Sequence, residues 1–209
     1  MKLNLPKKFL SYSAIQLWNT SKDQFRKRYY ENIKFADTKY TLFGKEIEKE
    51  IYAGKYPEIP CWGGAQHELK IMIEDVPIIG YLDSFNLEEK QFLDYKTSLE
   101  PWTLTKVQKL DQLPFYSMMI EKIYGKVHPV CKLIWLETQV LQEKGLLTRL
   151  DKMIYTGKHE IFERNIKKWE RRRIIDWITV SAEAISQDYR EYLERGASVY
   201  RPADSSLPA

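Results

Sequence analysis

Cysteine, histidine and long apolar runs are scarce in this 209-residue chain. The two cysteines, Cys61 and Cys131, are too few for a disulfide scaffold or a four-thiolate cluster. The three histidines, His67, His128 and His159, lack the spacing of a zinc site. We therefore expect neither an iron–sulfur cluster nor a transition-metal site built from cysteine or histidine.

No apolar run has the length of a membrane span, and the N-terminus lacks a signal-peptide pattern. The chain is still 44% hydrophobic and 13% aromatic, which favours a folded core over disorder. We expect an intracellular, cytoplasmic protein without membrane contact. A single domain over residues 1–209 is predicted, with a helical part at 1–55, a core at 64–156 and a second helical part at 160–196.

Positive charge exceeds negative charge modestly, with a net charge of +4 and an isoelectric point of about 8.8. This balance is compatible with a polyanionic partner but does not require one. Cations are concentrated at residues 22–28 and 167–173, each on a predicted helix. Such runs are commonly solvated helix faces, so solvation and contact with a polyanion both remain open for each.

The order of hydrophobic patterns predicts an α/β fold whose mixed central β-sheet is flanked by helices. Helices are expected at residues 11–32 (broken near residue 20), 41–53, 104–124 and 160–194, and strands at 68–73, 78–85, 91–96, 130–137 and 146–155. The first three strands should form a meander. Pro114 should kink its helix or mark a late start, and the last helix should contain a break before a frayed tail.

The tripeptide Asp94-Tyr95-Lys96 lies on a predicted strand. Side chains alternate along a strand, so Asp94 and Lys96 share one face, about 7 Å apart. If the hairpin turns symmetrically about Glu88 and Glu89, Asp83 lies directly across from Asp94. Taken alone, an Asp-x-Lys pair on a strand is usually exposed to solvent and contributes little.

Two opposed carboxylates repel each other unless they are solvated or a cation lies between them. Mg²⁺ prefers a few carboxylate oxygens together with water and phosphate oxygens. Asp83, Asp94 and Lys96 therefore predict a divalent-metal site acting on a phosphodiester. The metal would polarise the phosphate and acidify a water, and the ammonium would position or deprotonate the nucleophile.

Four segments of the sequence stand in a characteristic order: Gly44-Lys45-Glu46-Ile47-Glu48, Gly80-Tyr81-Leu82-Asp83, Asp94-Tyr95-Lys96-Thr97 and Gln112-Leu113-Pro114-Phe115-Tyr116. They resemble the motifs of the PD-(D/E)XK nuclease superfamily, and in particular its RecB-like branch, which includes Cas4-like and phage-type exonucleases. The resemblance covers about residues 10–125. It implies a restriction-endonuclease-like core.

The resemblance also implies a role for each matching residue. Asp83 and Asp94 would be metal ligands, the Tyr95 carbonyl would be a further one, and Lys96 would act on the attacking water. Glu48 would be a ligand at a position that is His in many relatives.

The assignment of Glu48 has three competitors, Glu46, Glu50 and His67. Gly44 lies one turn before Glu48, and its missing side chain would allow the helix to approach the sheet closely.

Gln112 and Tyr116 lie one turn apart and face the same way on the helix. The resemblance implies that they line the site and contact Lys96 or the nucleic-acid backbone. The alternative is an ordinary polar and aromatic pair that packs the helix on its neighbours.

The resemblance implies a deoxyribonuclease that uses Mg²⁺ or Mn²⁺, as an exonuclease or DNA-end-processing enzyme in repair, recombination or phage DNA metabolism. Its partners would be single-stranded DNA or duplex ends, together with a helicase or recombination protein. Residues 22–28 and the aromatics around them are candidates for holding a single strand. The alternative is a catalytically inactive nucleic-acid-binding module, against which the intact set of Glu48, Asp83, Asp94 and Lys96 argues.

Overall fold

The computed structural model describes residues 3–63, 65–125, 129–141 and 152–199. The helices within these ranges are α1 Tyr12–Thr20, α2 Lys22–Tyr29, α3 Lys39–Tyr52, α4 Leu104–Gln108, α5 Gln112–Tyr124 and α6 Lys168–Val199. The strands are β1 His67–Ile73, β2 Val76–Leu82, β3 Ser84–Asn86, β4 Gln91–Ser98, β5 Val130–Leu141 and β6 Lys152–Asn165.

The central sheet has four strands in the order β3-β4-β5-β6. The β4–β5 pair is parallel, and the two outer pairs are antiparallel. Helices flank this mixed sheet, so the predicted α/β fold class is confirmed.

The expected three-strand meander is wrong, because β1 and β2 form a separate two-stranded sheet. The chain bends at Asp83 before it enters β3, which pairs with β4 instead. The Asp83 carboxylate explains the bend: its Oδ2 accepts a hydrogen bond of 2.7 Å from the Tyr95 backbone N–H. The Asp83 side chain therefore accepts the hydrogen bond from β4 that the main chain of a continued strand would accept.

The register of the β3–β4 hairpin agrees with the symmetric turn predicted from sequence. Ser84 pairs with Leu93, and Phe85 pairs with Phe92. Extending this register by one residue places Asp83 across from Asp94.

Strand β4 lies between helices α3 and α5. On one face, Leu93 packs in a core cluster with Phe43 and Ile47 of α3. On the other, the Phe92 ring meets the Tyr116 ring of α5 with centroids 6.2 Å apart. Alternation along β4 therefore directs Asp94 and Lys96 to the α5 side.

The breaks between helices follow local backbone chemistry. Ser21 ends α1 and caps α2, accepting a hydrogen bond of 3.4 Å from the Gln24 N–H. The helix predicted over 104–124 is two helices, and Pro114 lies in the first turn of α5. Proline has no backbone N–H, and the N–H groups in the first turn of a helix have no intrahelical acceptor, so proline is tolerated there. The expected late start of this helix is confirmed.

The C-terminal part departs from expectation. Residues 160–165, predicted as helix, belong to β6, and α6 runs unbroken from Lys168 to Val199. Phe162 and Arg164 alternate inward along β6, and the Arg164 guanidinium pairs with Glu170. The predicted strand residues before 152 and the tail from residue 200 lie outside the described ranges.

Contacts divide the described chain into two compact units. The first combines the segment up to Lys34, Met72–Ile78 and the segment from Ile175 onward; the second combines Phe35–Ile71 and Ile79–Ile174. Every candidate site residue belongs to the second unit. A single nuclease domain over the whole chain stays a prediction. None of the described helices is long and apolar enough to cross a membrane.

Candidate active site

All the predicted site residues except Tyr116 line a cavity of about 160 Å³ in the second unit. Its lining residues are Gly44, Ile47, Glu48, Asp83, Asp94, Tyr95, Lys96, Thr97, Gln112 and Leu136. Two larger cavities, of about 580 and 450 Å³, lie among other residues. We assign the site to the smaller one because the carboxylates and Lys96 converge there.

Asp94 and Lys96 begin a chain of polar contacts from β4 to α5. Asp94 is only 2% exposed, and its Oδ2 lies 2.7 Å from the Lys96 Nζ. That ammonium donates to Gln112 Oε1 at 3.0 Å, and Gln112 Nε2 donates to the Tyr116 hydroxyl at 3.2 Å. Gln112 thus contacts Lys96 directly, and Tyr116 contacts it only through Gln112. Tyr116 itself does not line the cavity.

The pKa values of Asp83 and Lys96 are both raised in the cavity. Burial and the neighbouring charge of Asp94 raise the pKa of Asp83 to about 8. Burial acts to lower the pKa of Lys96, but the charges of Asp94, Asp83 and Glu48 outweigh it and raise that pKa overall. Lys96 is therefore an ammonium at neutral pH.

Helix α3 carries Glu48 into the cavity. A Cβ on Gly44, one turn earlier, would lie 3.2 Å from Thr97 Oγ1, so the helix approaches β4 as closely as the glycine allows. Glu48 Oε1 accepts from the Tyr52 hydroxyl at 2.6 Å and from Gln66 Nε2 at 2.8 Å.

The three competitors of Glu48 do not line this cavity. Glu50 accepts from the Tyr56 hydroxyl at 2.6 Å and pairs with Lys55. His67 Nε2 lies 3.2 Å from the Tyr124 hydroxyl. Glu46 is exposed on α3.

Solved structures of exonucleases share this architecture. A candidate exonuclease from Eubacterium rectale superposes with a TM-score of 0.56 at 10% identity, over 85% of this chain and 80% of that one. A phage-related exonuclease from Haemophilus somnus 129PT superposes with a TM-score of 0.55 at 14% identity, over 88% of this chain and 82% of that one. The chain therefore shares its fold with these two structures.

The likeness to these nucleases is one of fold. No family model matches the sequence, and no curated protein matches it significantly. At identities of 10% and 14%, the two solved structures show a shared fold.

The cavity offers hard oxygen donors to a cation. The described residues contain no group of three or more His, Cys, Asp or Glu side chains that would hold an ion by itself. Mg²⁺ needs only one or two carboxylates, because water and phosphate oxygens complete its shell. The buried Asp94 Oδ2 faces Lys96 but accepts no hydrogen bond of regular geometry. Asp83 and Asp94 therefore fit such an ion.

Sequence reasoning missed three polar residues at or beside the cavity. Thr97 lines it, while Tyr52 and Gln66 hold Glu48. Tyr52 lies one helical turn after Glu48, so the i, i+4 spacing was an available signal. Gln66 lies in the connection before β1, where no periodicity indicates its direction.

Proposed function

We propose that this protein is a metal-dependent DNA nuclease that hydrolyses phosphodiester bonds as an exonuclease or DNA-end-processing enzyme. The observation that carries the proposal is the convergence of Asp83, Asp94 and Lys96 in one cavity of a nuclease fold. The exonuclease descriptions of the two similar structures favour activity at DNA ends, by analogy of fold.

The residues divide the chemistry between them. Asp83 and Asp94 would hold a Mg²⁺ or Mn²⁺ ion, with Glu48 and the Tyr95 carbonyl as further ligands. The bound ion would polarise the phosphate and lower the pKa of a water. Lys96 would position the attacking water or take its proton, and as an ammonium it would offset charge on the phosphate.

Gln112 and Tyr116 act through Lys96 in this proposal. The Gln112 amide oxygen accepts from the Lys96 ammonium at 3.0 Å and restricts its position. The Tyr116 hydroxyl in turn accepts from the Gln112 amide at 3.2 Å, which fixes the amide orientation. The Lys96 side chain would therefore lose less conformational freedom when the substrate binds.

DNA is the proposed partner, held mainly through its phosphates. Many cations of the two basic runs are already engaged within the protein. The ion pairs are Arg26–Asp188, Lys27–Asp23, Arg171–Glu121 and Arg173–Asp111. We infer that few phosphates are contacted, and that residues 22–28 contribute less charge than their composition suggests.

The biological setting is proposed from the RecB-like motifs alone. It comprises DNA repair, recombination or phage DNA metabolism, with a helicase or recombination protein as partner.

A cleavage assay tests the proposed activity. The purified protein is incubated with linear and circular DNA, single- and double-stranded, in Mg²⁺, Mn²⁺ or EDTA. We expect metal-dependent release of nucleotides from linear DNA, lost in Asp94→Asn and Lys96→Met. Lys106→Met, on exposed α4 outside the cavity, is the matched control and should cleave normally.

The outcomes separate the alternatives. Cleavage of circular DNA would indicate an endonuclease. Binding of DNA without cleavage in either metal would support the inactive nucleic-acid-binding module. If the Lys96→Met protein cleaves like wild type, the proposed site is wrong.

A further inference from the structure

Glu48 is held by two polar side chains that lie outside the set predicted from the motifs. Tyr52 and Gln66 both donate to Glu48 Oε1, at 2.6 and 2.8 Å. We propose that Tyr52 and Gln66 are positioning residues that fix the Glu48 carboxylate in the cavity, where it would assist Asp83 and Asp94 in binding a metal ion. This inference rests on the proposed nuclease function.

Tyr52 connects two parts of the chain that carry proposed ligands. It is the last residue of α3, one turn after Glu48, and its hydroxyl also lies 2.8 Å from the Asp83 carbonyl oxygen. A hydroxyl has one hydrogen, so it donates to one of these acceptors at a time. The bond to the carboxylate is the stronger because it is charge-assisted. In either arrangement Tyr52 ties the helix carrying Glu48 to the bend carrying Asp83.

The two donors also determine which carboxylate oxygen remains available. Both reach Oε1, and within the described residues Oε2 has no hydrogen-bond partner. Two donors on one oxygen restrict rotation of the carboxylate, so Oε2 is the oxygen offered to the cavity. Partners of this kind typically change metal affinity or activity by about 10- to 100-fold.

A second tyrosine–glutamate pair provides an internal control. Tyr56 donates to Glu50 Oε2 at 2.6 Å, close to the Tyr52–Glu48 distance, and Glu50 lies on the same helix. Glu50 and Tyr56 do not line the cavity. Tyr56→Phe therefore removes a comparable hydrogen bond without touching the proposed site.

The experiment measures Mn²⁺ affinity by calorimetric titration of the full chain. We expect Tyr52→Phe to weaken Mn²⁺ binding by about 10-fold, the lower end for such partners, because Glu48 loses its fixed orientation. Gln66→Ala should weaken it in the same direction. Tyr56→Phe should stay within about twofold of wild type. The free energy of unfolding without metal is measured for each variant, to identify effects on stability alone.

Activity at two metal concentrations separates positioning from a structural role. The Tyr52→Phe protein should lose DNA cleavage at limiting Mn²⁺ and recover it at saturating Mn²⁺, because excess metal offsets the weaker site. A purely structural role would reduce stability in EDTA and leave the Mn²⁺ affinity unchanged.

A double-mutant comparison tests whether Tyr52 acts through Glu48. In a Glu48→Gln background, adding Tyr52→Phe should change Mn²⁺ affinity by less than about twofold. Equal losses in both backgrounds would overturn the inference, as would a Glu48→Gln protein with unchanged affinity. If Tyr52→Phe does not fold, Gln66→Ala decides, since Gln66 is exposed. Wild-type protein that neither binds Mn²⁺ nor cleaves DNA would instead contradict the proposed function itself.

Discussion

Asp83, Asp94 and Glu48 line the cavity beside a single ammonium, that of Lys96. Burial and the charge of Asp94 raise the pKa of Asp83 to about 8. A divalent cation bound between the two carboxylates would relieve the repulsion between them.

Gly80 is fixed by the packing of β2 against α5. A Cβ there would lie 2.8 Å from Met119 Sδ and 2.9 Å from Tyr116 Cε1. We predict that Gly80→Ala lowers the free energy of unfolding by about 1–3 kcal/mol, as measured by urea denaturation. It should also reduce DNA cleavage, because Tyr116 must shift and Gln112 with it.

Gly196 provides the control for this change. It lies exposed on α6, and a Cβ added to it would meet no atom within 4 Å. Alanine there should raise stability by about 0.5–1 kcal/mol through its better helix propensity. Equal stability of the Gly80→Ala protein and wild type would show that α5 can move away without cost.

Elements of the second unit are joined by a buried ion pair. The Arg164 guanidinium on β6 donates to the Val107 carbonyl of α4 at 2.6 Å and pairs with Glu170 of α6. Both side chains are less than 10% exposed. We predict that Arg164→Met costs about 3–5 kcal/mol in denaturant unfolding, because Glu170 remains buried without its partner.

Glu170→Gln added to Arg164→Met should recover part of that loss, since the buried charge is then gone. The amide oxygen of the substituted side chain can still accept a hydrogen bond from the Lys167 N–H, as Glu170 Oε2 does at 2.8 Å. A double variant no more stable than Arg164→Met would indicate that the lost contacts with α4 dominate.

In the first unit, Asp188 of α6 links to α2. Arg26 Nε and the Tyr30 hydroxyl both donate to Asp188 Oδ2 at 2.9 Å, and the Arg26 bond lowers the pKa of that carboxyl. A lowered folded-state pKa gives stabilisation that is complete above the unfolded value of about 4 and lost as the pH falls further. We predict that the free energy of unfolding falls less steeply below pH 4 in Asp188→Asn than in wild type. Identical slopes would contradict this linkage.

The sequence specified some elements better than others. The β3–β4 register followed from a symmetric turn, because alternation and turn geometry are local. The break at Asp83 was missed, because it depends on a side chain bonding to Tyr95 in another strand. Residues 160–165 were mistaken for helix, because Arg164 is buried against Glu170 and the Val107 carbonyl, and the sequence pattern does not reveal these partners.

The site was predictable to a similar extent. Residues on regular elements, such as Asp94 and Lys96, share a face by periodicity alone. The choice of Glu48 over Glu50 depends on contacts seen only in the structure. Tyr52 donates to Glu48, and Tyr56 donates to Glu50. The spacing is i, i+4 for Glu48–Tyr52 and i, i+6 for Glu50–Tyr56, but neither spacing indicates which glutamate faces the cavity.

At the scale of the whole molecule, a net charge of +4 acts on DNA largely through cations not paired within the protein. With several cations of both basic runs in ion pairs, we expect roughly three phosphate contacts. The binding constant of the Asp94→Asn protein for duplex DNA should then fall with salt at a log–log slope of about −3. Fluorescence anisotropy at several salt concentrations measures it. A slope near zero, or steeper than about −7, would contradict this prediction.

The proposed function depends most on Asp83 and Asp94, which together would hold a divalent cation. Anomalous diffraction from a crystal soaked in Mn²⁺ tests it most directly, because the manganese signal locates the ion independently of any activity. We predict one strong anomalous peak between the two carboxylates, lost in an Asp94→Asn crystal. A fully soaked crystal with no peak there, or with manganese only elsewhere, would contradict the account.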